Sequence, residues 1–172
     1  PTPTVAPVAP LLKTKWGQGA PFNRKCPKYN GNPMLTGCTA TAMAQILNYY
    51  KSNSKGYDVL EYVNEGVGNK EISVDFTKIS YDWANMLDVY EAGSYTDAQA
   101  DAVAQLMYEA GVSCKAKYDV TWSGTGATSA AIPYVGFNRY YDYNCEIWVR
   151  EYVPTKLWMT VIQEELTAGR PI

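Results

Sequence analysis

The chain has 172 residues, 47% of them apolar and 19% charged. This composition folds rather than staying disordered, and the length suits one domain of ordinary size that buries roughly two thirds of its extended surface. Fifteen Lys and Arg against seventeen Asp and Glu give a formal charge of -2, so no basic field supports nucleic-acid binding or docking on an acidic membrane, and no apolar run is long enough for a membrane span.

Residues 1–10 carry Pro1, Pro3, Pro7 and Pro10, which predicts an extended arm or linker. The chain begins without Met and without a leader layout, as an exported protein stripped of its leader and pro-segment would. Residues 11–33 lack periodicity and are expected to be ordered coil pinned by Trp16 and Phe22. Cys38 to Tyr50 contains no Gly or Pro and places Ala40, Met43, Ile46, Leu47 and Tyr50 three and four apart. That spacing predicts a central, mostly buried helix with Thr36 or a near neighbour as its cap.

Tyr57 to Val63 reads as a short helix, Glu71 to Asp75 as a brief extended piece, and Asp82 to Leu87 as a helical turn or two. Thr96 to Ala110 is the clearest surface helix: Thr96 and Gln99 form a capping box, and Gly111 is the expected stop. A short extended stretch and a Gly-, Ser- and Thr-rich loop containing Trp122 follow over 113–126. Ala127 to Val135 reads as a short helix that Pro133 would bend or end. Tyr140 to Tyr152, rich in Tyr, Trp and Val, predicts one or two strands. Pro154 to Leu166 predicts a helix with Leu157, Trp158, Val161, Ile162 and Leu166 on its apolar face, stopped by Gly169 and Pro171. Ile172 then stands where a strand would be starting, so a further C-terminal portion is expected.

Histidine is absent. Within this chain that excludes every mechanism needing imidazole as base or metal ligand. Cysteines at 26, 38, 114 and 145 show no CxxC pair, which argues against structural zinc, and their density is too low for a disulfide-built scaffold. Cys114 and Cys145 read as isolated apolar thiols. Cys38 differs. It follows Gly37 at the first turn of a helix, where amide N–H groups lack partners and the dipole adds positive potential. Both favour a thiolate over a thiol, and the Cys38 N–H could face an oxyanion. Upstream, Gln18 lies between Gly17 and Gly19. Its amide is a neutral donor suited to the same oxyanion, a role for which Asn23 and Gln45 are competitors.

Two segments then stand out together. Gln18-Gly19-Ala20-Pro21-Phe22-Asn23 is followed by Thr36-Gly37-Cys38-Thr39-Ala40-Thr41-Ala42-Met43-Ala44-Gln45-Ile46-Leu47-Asn48-Tyr49. Their order and content resemble the streptopain family of papain-like cysteine peptidases, secreted enzymes of bacteria. Tyr81-Asp82-Trp83-Ala84-Asn85-Met86-Leu87, the helix end Leu106-Met107-Tyr108-Glu109-Ala110-Gly111-Val112, and the segment from Ile162 to Pro171 extend the resemblance over nearly everything after Leu11.

The resemblance implies an α+β, papain-like fold. This chain would supply mostly the helical lobe with a minor antiparallel sheet, the sheet-rich lobe lying largely outside it. Residues 11–172 would be the N-terminal portion of the peptidase domain, lacking the segment with the catalytic histidine. Cys38 matches the family nucleophile and Gln18 the oxyanion-hole glutamine. Implied too are an extended peptide or protein substrate, a second chain or C-terminal half bringing the histidine, no metal or organic cofactor, no Cys26–Cys38 bridge, and a secreted or periplasmic location. Trp122 and Tyr134 are conceivable cleft residues. The competing expectations are a non-catalytic secreted binding or adhesion module with a Tyr-rich surface, and a thiol transferase or amidase on the same fold.

Overall fold

The computed structural model describes residues 6–65, 68–119, 124–125 and 131–172. Among these residues lie four helices and six short strands, the strands paired only as antiparallel two-stranded ribbons. The fold is mixed α+β, as expected. Contacts divide the chain into two compact units: Thr14–Ile147, and Trp148–Ile172 with the N-terminal segment through Lys13. Residues 6–10 are exposed and lack secondary structure. No helix among the described residues is long and apolar enough to cross a membrane.

In the larger unit, Trp16 and Phe22 are buried with ring centroids 6.2 Å apart, and Phe22 meets Tyr90 edge-on at 5.3 Å. The Trp16 indole N–H donates to the Leu87 carbonyl at 2.9 Å, anchoring the N-terminal coil. That coil contains a hairpin that the aperiodic reading passed over. Strands β1 (Lys28–Tyr29) and β2 (Asn32–Pro33) flank Asn30-Gly31, whose φ values of 48° and 80° suit a two-residue turn.

Helix α1 (Cys38–Tyr50) matches its predicted bounds and buries Ala40, Thr41, Met43, Ala44, Leu47 and Asn48. It packs on helix α2 (Asp97–Ser113), which opens with the predicted capping box: the Gln99 N–H donates to Thr96 Oγ1 and the Thr96 N–H to Gln99 Oε1. Gly111 does not stop this helix. It lies inside it, where a methyl group would overlap the Tyr118 hydroxyl and come within 3.4 Å of the Ala40 Cβ. Its missing side chain is what allows α2, α1 and Tyr118 to meet. The helix ends later, at Cys114, and Lys115 takes the left-handed conformation at φ 51°.

Tyr57 to Val63 is not helical. Strand β3 (Val59–Asn64) pairs with β4 (Lys70–Asp75), with Leu60 opposite Val74 and Tyr62 opposite Ile72. Leu60, Asn64, Ile72 and Val74 are buried while Val59, Glu61 and Val63 are exposed. So short an apolar run satisfies both periods, and the β4 partner decides. Asn64 exchanges two hydrogen bonds with the Tyr118 backbone, at 2.8 and 3.0 Å, and Tyr62 donates to the Ala116 carbonyl. These bonds tie the ribbon to strand β5 (Ala116–Lys117), which pairs with β6 (Gly124–Thr125). Between Asp82 and Leu87 the predicted turn is a single 3₁₀ turn, Trp83–Asn85.

Pro133 lies within helix α3 (Ala131–Val135) without ending it, and the chain continues as a π-helical turn over Gly136–Tyr140. The predicted start at Ala127 and the loop tryptophan Trp122 lie outside the described residues. No strand forms among Tyr140–Tyr152. Tyr140 and Tyr141 pack on Phe76, with centroids 4.7 and 5.7 Å away, and Tyr143 packs on Tyr50 and Phe137. The backbone turns back on itself: the Tyr143 N–H donates to Phe137 and the Cys145 N–H to the Asn138 side chain. The aromatic residues that suggested β-structure are side chains of this return.

The smaller unit holds a 3₁₀ turn at Arg150–Tyr152 and helix α4 (Thr155–Thr167), with Pro154 at its cap and Gly169 left-handed beyond its end. Arg170 and Glu165 pair at 2.6 and 2.7 Å. The expected apolar face is present, yet no residue of α4 is buried.

Candidate active site

The segment entering α1 is fastened at three successive residues to three different parts of the chain. The Met34 N–H donates to Pro27 at 2.9 Å, the Leu35 N–H to Asp119 at 3.3 Å, and the Thr36 N–H to Gln18 at 3.1 Å. The last bond unites the two motifs, placing the Gln18 backbone against the residue two before Cys38. Gly37 then turns the chain into the helix with φ 91° and ψ 150°, a conformation that L side chains rarely adopt, and Cys38 begins α1.

Thr36 does not cap α1. Gly37 occupies the cap position, so the helix start has no side-chain cap. The Thr36 hydroxyl lies instead 3.5 Å from the Gln18 carbonyl oxygen and 3.0 Å from the Thr41 hydroxyl. Thr41 donates its hydroxyl to the Gly37 carbonyl at 2.8 Å. The signal for this contact was two threonines five apart, straddling the helix start.

Cys38 is exposed and Gln18 half-buried. The other three cysteines are also unbridged, Cys26 and Cys114 buried and Cys145 half-buried. Burial pushes the Cys26 and Cys114 thiols up to about 12 and raises that of Cys145. Cys38 is therefore the exposed cysteine of the four. The competitors of Gln18 are committed elsewhere: Asn23 donates to the Pro33 carbonyl, and Gln45 accepts from Thr14 at 2.7 Å and donates to the Thr41 carbonyl. Tyr134 is partly exposed on α3. A cavity of about 110 Å³ lined by Ser52, Asn53, Lys55, Ile79 and Tyr81 lies past the other end of α1. Thirteen helical residues, about 20 Å, separate that end from Cys38.

A helix start with an exposed cysteine, close to the backbone of a half-buried glutamine, brings together the residue types for attack on a carbonyl and for holding an oxyanion. Comparison with known proteins points the same way. The chain is 27% identical to streptopain of Streptococcus pyogenes over 183 residues, covering 96% of this chain and 46% of that protein. It is 27% identical to the thiol protease/hemagglutinin PrtT of Porphyromonas gingivalis over 180 residues, covering 96% of this chain and 20% of that protein. It thus spans less than half the length of these curated relatives. Active interpain A, a cysteine protease of Prevotella intermedia, superposes with a TM-score of 0.85 at 36% identity, covering 95% of this chain and 67% of that one. The Peptidase C10 family model matches residues 16–172, and the chain belongs to that family.

Proposed function

We propose that this chain is the nucleophile-bearing portion of a cysteine endopeptidase. The carrying observation is the Gln18–Thr36 backbone bond at the mouth of α1, which sets the Gln18 motif beside an exposed Cys38. The Cys38 thiolate attacks the scissile carbonyl carbon. Charge developing on the carbonyl oxygen is held by the Cys38 N–H and the Gln18 amide. The C–N bond breaks as an imidazolium protonates the leaving amine, leaving a thioester. Water, deprotonated by the imidazole, then releases the acid and restores the thiolate.

The imidazole has no source among these residues. We assign it to a C-terminal portion of the protein or a second chain. The apolar face of α4, where none of Leu157, Trp158, Val161, Ile162 and Leu166 is buried, suits coverage by that portion. The substrate class is an extended peptide or protein, and the reading carries export of the enzyme with it, in keeping with the family resemblance.

The test is hydrolysis of an unstructured protein substrate by the full-length protein. Cys38→Ala is expected to reduce turnover to background, and Gln18→Ala to lower kcat by about 10²–10³-fold. Undiminished hydrolysis by Cys38→Ala would refute the assignment. Strong proteolysis by pure residues 1–172 would refute the need for an outside histidine.

A further inference from the structure

We propose that Thr36 and Thr41 are positioning residues whose buried hydroxyls aim the two oxyanion donors, the Gln18 amide and the Cys38 N–H; this rests on the peptidase reading above. Thr36 is wholly buried and Thr41 is 8% exposed, so neither hydroxyl can rely on bulk water for a partner. The two oxygens are 3.0 Å apart, and because Thr41 gives its one hydroxyl proton to the Gly37 carbonyl, Thr36 is the donor between them.

The pair ends on a carbonyl at each side. Thr41 Oγ1 donates to the Gly37 carbonyl at 2.8 Å, and Thr36 Oγ1 lies 3.5 Å from the Gln18 carbonyl oxygen. Each carbonyl also accepts a backbone amide at 3.1 Å, from Thr41 and Thr36 respectively. The Gly37 carbonyl is thus held by both the N–H and the hydroxyl of Thr41, and the Gln18 carbonyl by the Thr36 N–H, while the Thr36 hydroxyl gives its one proton to Thr41.

The consequence follows from peptide planarity. In a trans peptide the C=O of one residue and the N–H of the next lie in one plane and point in opposite directions. Holding the Gly37 carbonyl toward Thr41 along the helix therefore aims the Cys38 N–H out of the helix start, where the oxyanion would form. Gly37 itself offers little resistance to rotation, since glycine is the most permissive residue. The restraint must come from outside it. Holding the Gln18 carbonyl similarly fixes the backbone from which the Gln18 side chain projects. A threonine bonding the carbonyl four residues back is common in helices. The link onward to Thr36 and Gln18 is what joins the two donors.

The experiment uses the full-length protein and the variants Thr41→Val, Thr36→Val and Thr41→Ser. Valine keeps the shape and removes the hydroxyl; serine keeps the hydroxyl. Three readings are taken: kcat and KM on a peptide substrate, inhibition by a peptide aldehyde, and alkylation of Cys38 by iodoacetamide. The aldehyde adduct places an oxyanion in the hole, whereas alkylation by displacement of iodide does not.

Loosening a donor should cost less than deleting one. Either valine variant is expected to lower kcat and weaken aldehyde inhibition by about tenfold, with KM and the alkylation rate within about twofold. Thr41→Ser should recover most of the loss. Kcat and aldehyde affinity within twofold of wild type in both valine variants would overturn the proposal, as would a parallel fall in alkylation. If Thr41→Val does not fold, Thr36→Val and Thr41→Ser decide it. Cys38→Ala separates the two layers: activity surviving it sinks the peptidase reading, whereas a dead Cys38→Ala beside fully active valine variants sinks only the brace.

Discussion

Cys38 and Cys114 occupy opposite kinds of helix end. Cys38 opens α1, where first-turn amides lack internal partners and the end carries partial positive charge. Cys114 closes α2 at the partial negative end, its Sγ 3.4 and 3.3 Å from the Ala110 and Gly111 carbonyl oxygens. One is exposed; the other is 1% exposed and pushed up to about 12 by burial. The same side chain is a candidate nucleophile in one place and a small apolar filler in the other. Direction of the helix and access of solvent make the difference, not the residue.

The largest expected effect tests that contrast. At pH 8 a thiol held near 12 is thiolate in about one molecule in ten thousand, and Cys114 must also wait for the fold to open. Iodoacetamide should therefore label Cys38 at least about a thousandfold faster than Cys114, read by mass spectrometry over time. Equal rates in folded protein would erase the distinction.

Next in size is a change that strikes the joint between the two helices. Gly111→Ala drives a methyl group into the Tyr118 hydroxyl and against Ala40. It should destabilise the fold by about 1–3 kcal/mol through overpacking, seen as a lower denaturation midpoint. Little change in the midpoint would mean that α1 and α2 can move apart freely.

The smallest effect concerns the α2 face that carries Glu109. Burial raises this carboxyl, against the opposing hydrogen bond that Gln105 donates to Oε1 at 3.2 Å, and its Oε2 is buried without a hydrogen-bond partner. The folded state thus binds its proton more tightly than the unfolded state. The contribution favours folding below the unfolded value of 4.5 and is lost as pH rises through the folded one. Glu109→Gln should raise the melting temperature at pH 7, and the gain should shrink as the solution is acidified toward pH 4. A gain that grows on acidification would reverse the sign.

Local chemistry was legible where local forces decide. The bounds of α1, the capping box of α2, and the approach of the Gln18 and Cys38 motifs all follow from residue spacing or from motif resemblance. What stayed hidden depends on partners distant in sequence. Val59 to Asn64 becomes a strand because Lys70–Asp75 pairs with it. The tyrosines after 139 serve Phe76 and Tyr50 rather than a ladder. Gly111 is reserved for Tyr118. Thr36 carries a cap-like signal but spends its hydroxyl on Thr41, because the glycine after it already turns the chain.

The most direct test of the central claim is to react the full-length protein with a peptidyl epoxide and map the adduct while following peptide hydrolysis. The account predicts one adduct per chain, on Cys38, with activity lost in proportion to its modification. Hydrolysis that persists with Cys38 fully modified would contradict it.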